Sequence, residues 1–363
     1  MSQSTMNKTY RKTYAEINLK NLYLNYKSVQ NIVGSKKVIP VVKANAYGHG
    51  SIEVVKYLRS NGVDHYAVSL LEEAIELREV FSDIKLLVMG VSDGTAIKIA
   101  AENNITITIS NFSQVKKLKK IEDNVSINLK FDSGMNRLGF KMIEDINTVL
   151  NELKSYSNIH IEGIFTHFAT ADEDKKYYDQ QTGQFEKVLN STDFDFGMIH
   201  SSNSSSAIKY EMDIDYTTHV RLGISLYGLS LDTGMDFLKN TYKLISYISE
   251  IKYLSPGDKV GYGATYTART KEIIGILPLG YADGFIRKNS PGDVEINGKR
   301  YPIVGRICMD QLFIKIDDTI SREDKVTLFG GLITIDEVAK RLDTINHEVI
   351  CQITNRVPKI YIK

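Results

Sequence analysis

Residues 41–50 read VVKANAYGHG, so Lys43 ends a short apolar run and opens a small, glycine-punctuated stretch carrying Tyr47 and His49. A core strand has no use for an ammonium group. Partly desolvated at a strand end, however, a lysine has its charged form disfavoured, and its amine becomes available as nucleophile and base. Capture of an aldehyde cofactor is the standard use of such a group. A phosphate-bearing cofactor also needs anion donors. HSSNSSSA at 200–207 offers hydroxyls at a helix start, and Leu222-Gly223-Ile224 offers backbone N–H groups. Other polar residues close apolar runs in the same way: Lys130 with Asp132 and Arg137, His167, His200 with Asn203 and Ser204, and Arg221 with Gly223. Any one of them reads equally well as a solvated loop residue, and their shared placement is what argues for a site. His167 and His200 lack a matching third ligand set, which speaks against a metal-dependent hydrolase.

The elements that would position these residues alternate along the chain. Strands are expected at 38–42, 65–69, 85–90, 105–109, 126–131, 161–167, 197–202 and 219–224, with amphipathic helical patterns between them. Such alternation implies βαβ units and a parallel sheet. Eight strands in about 190 residues is the count of a (β/α)8 barrel, with a doubly wound open sheet as the competing topology. In a barrel the C-terminal strand ends share one face, which gathers the residues above onto a single rim. After about residue 240 the chain becomes strand-rich, with Pro-Gly, Asn-Gly and Gly-Asp turns, the pattern of a mostly β domain. The expected division is a barrel over 20–242 and a β domain over 243–363, joined by an early strand at 11–19.

Bulk properties exclude several classes. Hydrophobic residues make up 42% and charged residues 25% of the 363, and 45 Lys+Arg against 44 Asp+Glu leave a net charge of +1. Neither nucleic acid nor an anionic membrane is implied as a partner. The longest apolar runs, such as 273–280, are strand-sized and too short to span a bilayer. The N-terminal MSQSTMNKTYRK lacks the apolar core of a signal peptide. Cys308 and Cys351 read as reduced thiols in the core or near the site. A cytoplasmic location is expected, either for a whole protein or for the cytoplasmic catalytic domain of a larger membrane-anchored one.

VVKANAYGHG, FDSGMNRLGF, THFATADE, HSSNSSSA, VRLGISLYG, VGYGATYTA, LPLGYADGF and VGRICMDQ together resemble the alanine racemase family, in order and over nearly the whole chain. The resemblance implies a (β/α)8 barrel plus a β domain, pyridoxal 5'-phosphate (PLP) as cofactor, and a head-to-tail homodimer whose partner completes each site. On the matching positions, Lys43 would hold the cofactor and act as one base, and Tyr262 from the partner would be the other. Racemisation needs two acid/base groups because a proton leaves one face of Cα and another arrives on the opposite face. Arg221 would face the pyridine nitrogen, supported by His167. Tyr47, Asn203, Ser204, Gly223 and Ile224 would bind the cofactor, chiefly its phosphate. Arg137 and the partner's Met309 would grip the substrate carboxylate, with Lys130, carbamylated in many relatives, holding Arg137. Tyr281 and Asp310 would line the partner's contribution.

One position departs from the family pattern. Where Ser-Tyr-Arg-Val-Pro-Arg is usual, 354–359 read TNRVPK, placing Asn355 in the tyrosine position. A short amide removes a ring's volume and adds two donors and an acceptor, room and a partner for a β-hydroxymethyl group. The VanT-type serine racemases of vancomycin resistance are similar in carrying asparagine here. The expectation is racemisation of serine as well as alanine; the alternatives are a housekeeping alanine racemase with little serine activity and a decarboxylase of the same fold type.

Overall fold

Short runs rich in valine, isoleucine and leucine fold as parallel strands, and the amphipathic stretches between them fold as helices. The computed structural model describes residues 10–92, 94–210, 214–231 and 234–363; the first nine residues of the polar N-terminal segment lie outside the described residues. Two compact units result, Tyr23–Lys239 and the N-terminal residues to Leu22 together with Asn240–Lys363.

After β1 (Tyr14–Asn18), the first unit is built on β2 (Lys37–Pro40), β3 (His65–Val68), β4 (Lys85–Val91), β5 (Thr106–Ile109), β6 (Val125–Lys130), β7 (Ile159–Phe165), β8 (Met198–His200) and β9 (His219–Leu222). These eight strands form one parallel sheet in the order β2-β9-β8-β7-β6-β5-β4-β3. Its ends meet through one bridge, Val41 to Ala67, with the Val42 N–H donating to the Ala67 carbonyl at 2.8 Å. The result is a nearly closed (β/α)8 barrel rather than an open doubly wound sheet. Strands covered on both faces carry continuous apolar runs, and β5 and β9 are buried throughout. The helix Ile143–Leu153 shows the complementary pattern, burying Ile146, Val149, Leu150 and Leu153 along one stripe. Each such fully buried aliphatic side chain contributes roughly 1.5–3 kcal/mol.

The second unit contains β10 (Tyr242–Tyr247), β11 (Glu250–Leu254), β12 (Lys259–Val260), β13 (Tyr266–Thr267), β14 (Glu272–Leu277), β15 (Gly292–Ile296), β16 (Lys299–Val304), β17 (Leu312–Ile316), β18 (Lys325–Phe329) and β19 (Lys359–Ile362). Its main sheet runs β11-β14-β17-β16-β15-β18-β10-β1-β19, so β1 lies between β10 and β19. The hairpin from β15 to β16 turns on Asn297-Gly298, whose positive φ values of 49° and 73° suit the two-residue turn that such a pair favours. Both cysteines are free; Cys308 is half-buried beside Met309, whereas Cys351 is exposed and so is not a core thiol. Among the described residues no helix is long and apolar enough to cross a membrane.

At the N-terminal end of the barrel, His65 and His219 begin β3 and β9 with ring centroids 6.2 Å apart. Burial depresses both to a pKa of about 4. The nearby Lys37 and Lys85 reinforce this for each ring, His219 adds to it for His65, and Asp64 opposes it at His65. In the unfolded chain both would titrate near 6.5, so the unfolded state takes up more protons between those values. Stability is therefore fully present above about pH 6.5 and falls as pH drops towards 4, by on the order of 3 kcal/mol per histidine. Tm measured from pH 7 to 4 should drop less steeply in His65→Gln/His219→Gln than in the parent. Parallel curves would refute the assignment.

Candidate active site

Directly after Lys43 the chain makes a left-handed helical turn. Ala44, Asn45, Ala46 and Tyr47 have φ of 51°, 53°, 53° and 51°, a region costing roughly 1–2 kcal/mol per non-glycine residue. Backbone bonds close the turn: the Ala46 N–H donates to the Val42 carbonyl at 2.9 Å and the Gly48 N–H to the Ala44 carbonyl at 3.0 Å. Side chains hold it. Asn45 Oδ1 accepts the Ser51 N–H at 2.8 Å, Glu73 Oε1 accepts the Ala44 N–H at 2.6 Å, and buried His49 lies with its ring 4.6 Å from that of Tyr227. The turn leaves Lys43 half-buried at the barrel mouth, its Nζ 5.8 Å from the centroid of the Tyr47 ring.

Arg221, on β9, is buried and donates to the Thr166, His200 and Ser201 carbonyls at 2.9, 3.1 and 2.8 Å. It also donates to His200 Nδ1 at 2.6 Å and to His167 Nδ1 at 3.1 Å. A guanidinium has only donors, so both imidazoles present an unprotonated nitrogen to it. Burial first, and the Arg221 charge second, hold both histidines well below the ordinary histidine range. They are neutral at physiological pH, and Arg221 keeps a fixed place and its charge.

Beside it lies a cradle of anion donors. Ser204 Oγ accepts the Gly223 N–H at 3.0 Å and the Ser225 N–H at 3.3 Å. A Cβ on Gly223 would stand 3.1 Å from the Tyr47 hydroxyl and 3.6 Å from Ser204 Oγ, so the absent side chain leaves space lined by two hydroxyls. Ile224 follows at the first position of a short 3-10 turn. Asn203 also serves the backbone, its Oδ1 accepting the Ser206 N–H at 3.1 Å and so capping the helix Ser204–Lys209.

Lys130 is buried at the end of β6, its Nζ donating to the Phe131 carbonyl at 2.9 Å. Burial and the charge of Arg221 push its pKa well below the ordinary lysine value; Asp132 opposes them and Arg137 adds to them. Asp132 itself turns the following loop, accepting the Gly134 and Asn136 N–H groups at 3.0 and 2.9 Å. That loop carries Arg137, which is exposed and makes no ion pair among the described residues. Among the described residues no group of three or more His, Cys, Asp or Glu side chains is placed to hold a metal ion.

The second unit carries its own cluster. Tyr262 stands in a tight turn between Gly261 and Gly263, which have φ of 69° and 73°, and is 71% exposed, not packed as a core aromatic. A Cβ on Gly263 would come 2.7 Å from the Arg306 guanidinium, so the turn seats closely on the Arg306 side chain, two residues before Cys308. The Tyr281 and Ala282 N–H groups donate to the Cys308 and Met309 carbonyls, each at 3.1 Å. Buried Asp283 accepts a two-pronged bond from Arg11 at 2.9 and 2.8 Å, and Arg356 bonds Asp310 at 2.7 Å. Thr354 is tied to the Asp283 and Ala282 carbonyls, each at 3.1 Å, so exposed Asn355 sits on a turn with fixed flanks. Tyr281 and Met309 thus lie in backbone-bonded segments, and Thr354 and Arg356, on either side of Asn355, bond Ala282, Asp283 and Asp310.

The sequence pattern of the alanine racemase N-terminal domain matches residues 17–231, and that of the alanine racemase C-terminal domain matches residues 241–361. The chain belongs to the alanine racemase family. An alanine racemase of Anoxybacillus flavithermus is 39% identical over 370 residues, spanning 98% of this chain and 96% of that one. The crystal structure of alanine racemase from E. faecalis superposes with a TM-score of 0.93 at 33% identity, covering 98% and 99% of the two chains. A histidine racemase from Leuconostoc mesenteroides shares the fold with a TM-score of 0.91 at 27% identity, over 98% and 100%. Alanine racemases depend on PLP, and the residue types of the barrel unit fit that cofactor: Lys43 would take the aldehyde, the Gly223 cradle the phosphate, and Arg221 would face the ring nitrogen. When bound, the cofactor draws electrons from the substrate Cα–H bond and so weakens it. Glu73 is not among the residues that the strand ends single out, its one sequence signal being an acidic residue at the third position of a helix, and His200 is buried against Arg221 rather than open on the rim.

Proposed function

We propose that the protein interconverts L- and D-alanine with PLP, using Lys43 and the partner's Tyr262 as the two bases, and so supplies D-alanine for peptidoglycan precursors. The observation that carries the reading is the Lys43 turn beside the Gly223 cradle, set in a chain of the alanine racemase family. Support for a shared site comes from Tyr262, a glycine-flanked phenol held out in solvent where a monomer gains nothing from it. In a head-to-tail homodimer, Tyr281, Met309 and Asp310 would line the opposite barrel, with the Met309 N–H meeting the substrate carboxylate that Arg137 grips. Burial lowers the pKa of Lys130 and so favours its uncharged amine, the form that would add carbon dioxide with loss of a proton to give a carbamate anion that holds Arg137. An assay with L-alanine and added PLP should yield D-alanine; carbon dioxide release from a basic amino acid without racemisation would replace this reading with a decarboxylase.

The relatives named above act on alanine and histidine, and alanine is accordingly the primary substrate proposed. Asn355 supports a second reading, in which serine is also accepted. Its amide is exposed on a fixed turn, where the family's tyrosine would fill space. Under that reading Asn355→Tyr should lower the ratio of kcat/KM for L-serine over L-alanine by roughly 10- to 100-fold, the range one polar contact and one group's volume can supply. An unchanged ratio leaves a plain alanine racemase.

A further inference from the structure

We propose that Glu73 is the positioning residue for Lys43: its carboxylate holds the left-handed turn that aims the lysine. The proposal rests on Lys43 being the cofactor-holding lysine. Glu73 is the third residue of the helix Leu71–Val80. Its Oε2 accepts the Ser69 and Leu70 N–H groups at 2.9 and 3.1 Å, an ordinary way to finish a helix start. Its Oε1 does something a helix cap does not require, accepting the Ala44 N–H at 2.6 Å from a segment 29 residues away in sequence. The Ala44 N–H has no other acceptor among the described residues.

The location makes that bond consequential. Of the side chains that hold the turn, Asn45 and His49 act at its far end, towards Ser51 and Tyr227. Glu73 acts at the residue adjoining Lys43. Alanine has no preference for the left-handed region, so without the acceptor Ala44 is free to relax towards right-handed or extended backbone. Such a change rotates the peptide plane that leads out of Lys43 and, three residues on, moves the Tyr47 hydroxyl relative to Gly223. One carboxylate therefore ties the start of a barrel helix to both the aldehyde end and the phosphate end of the cofactor position.

Glu73→Ala and Glu73→Gln separate this role from simple helix capping. In cofactor-free protein, amide exchange over residues 44–48 should rise at least about tenfold in Glu73→Ala, and less in Glu73→Gln, which keeps one acceptor oxygen. In the loaded enzyme kcat should fall with KM for alanine nearly unchanged, and the pH titration of the lysine-bound cofactor's absorbance should shift. Should Tm fall while exchange at 44–48, kcat and the titration all stay at parental values, Glu73 is a helix cap and the proposal is overturned. If Glu73→Ala does not fold, Glu73→Gln carries the same comparison. A Lys43→Ala protein that retains the parental cofactor absorbance would instead refute the reading of Lys43, leaving the exchange result to speak for the turn alone.

Discussion

Lys43→Ala is expected to lower alanine racemisation by about 10,000-fold or more, because one change removes both the covalent hold on the cofactor and a proton-transfer group. The phosphate cradle of Tyr47, Ser204, Gly223 and Ile224 would remain, so the cofactor should still bind but wash out on dialysis, without the absorbance of its lysine-bound form. The fold should survive: Lys43 is half-buried at the barrel mouth, and the strand before it is held by β9 and the Ala67 bridge. Retained activity within tenfold of the parent would remove Lys43 from the chemistry.

Tyr262→Phe is expected to lower racemisation by about 100- to 10,000-fold, the range for losing one positioned acid/base group. The ring stays, so stability should be nearly unchanged for a side chain already 71% exposed. The loss should be one-sided: in deuterated water, Lys43 still exchanges the Cα hydrogen of one enantiomer while inversion to the other is slow. Mixing this variant with Lys43→Ala distinguishes a shared site from a self-contained one. If the partner supplies Tyr262, a mixed dimer holds one doubly damaged site and one intact site. Random exchange of equal amounts would then restore about a quarter of parental activity from two nearly inactive proteins. No recovery, with mixed dimers verified, would place each tyrosine in its own subunit's site.

The barrel was legible because a parallel sheet covered on both faces must be written in repeated apolar runs, and all eight appear where hydrophobic periodicity puts them. Strand ends then gathered Lys43, His167 and Arg221 without further information. The turn at 44–47 was not legible. Of Ala-Asn-Ala-Tyr only Asn45 suits left-handed backbone, and the other three residues are held there by Glu73, by His49 and by Gly48 and Gly50, the last two with φ of 82° and 96°. Local propensity was overridden by tertiary contacts, which single-sequence reasoning does not contain. Asn203 shows the same limit in a milder form: its type suited either anion binding or a helix cap, and only the position of Ser206 decides which bond its side chain makes.

The single bridge that closes the barrel has a consequence for the order in which the structure can come apart. Val41 and Ala67 lie close in sequence, whereas β2 and β9 join Lys37 to His219 across most of the unit. Closing the longer loop costs roughly 1.7 kcal/mol more in chain entropy. The ladder of four residue pairs stands at that expensive junction, and the lone bridge stands at the inexpensive one. Parting Val41 from Ala67 is thus a local, quickly reversed event that leaves the long-range topology intact. Cutting the chain between these two strands and joining its natural ends elsewhere would disturb the barrel's architecture least at this junction, and Lys43 sits two residues from it.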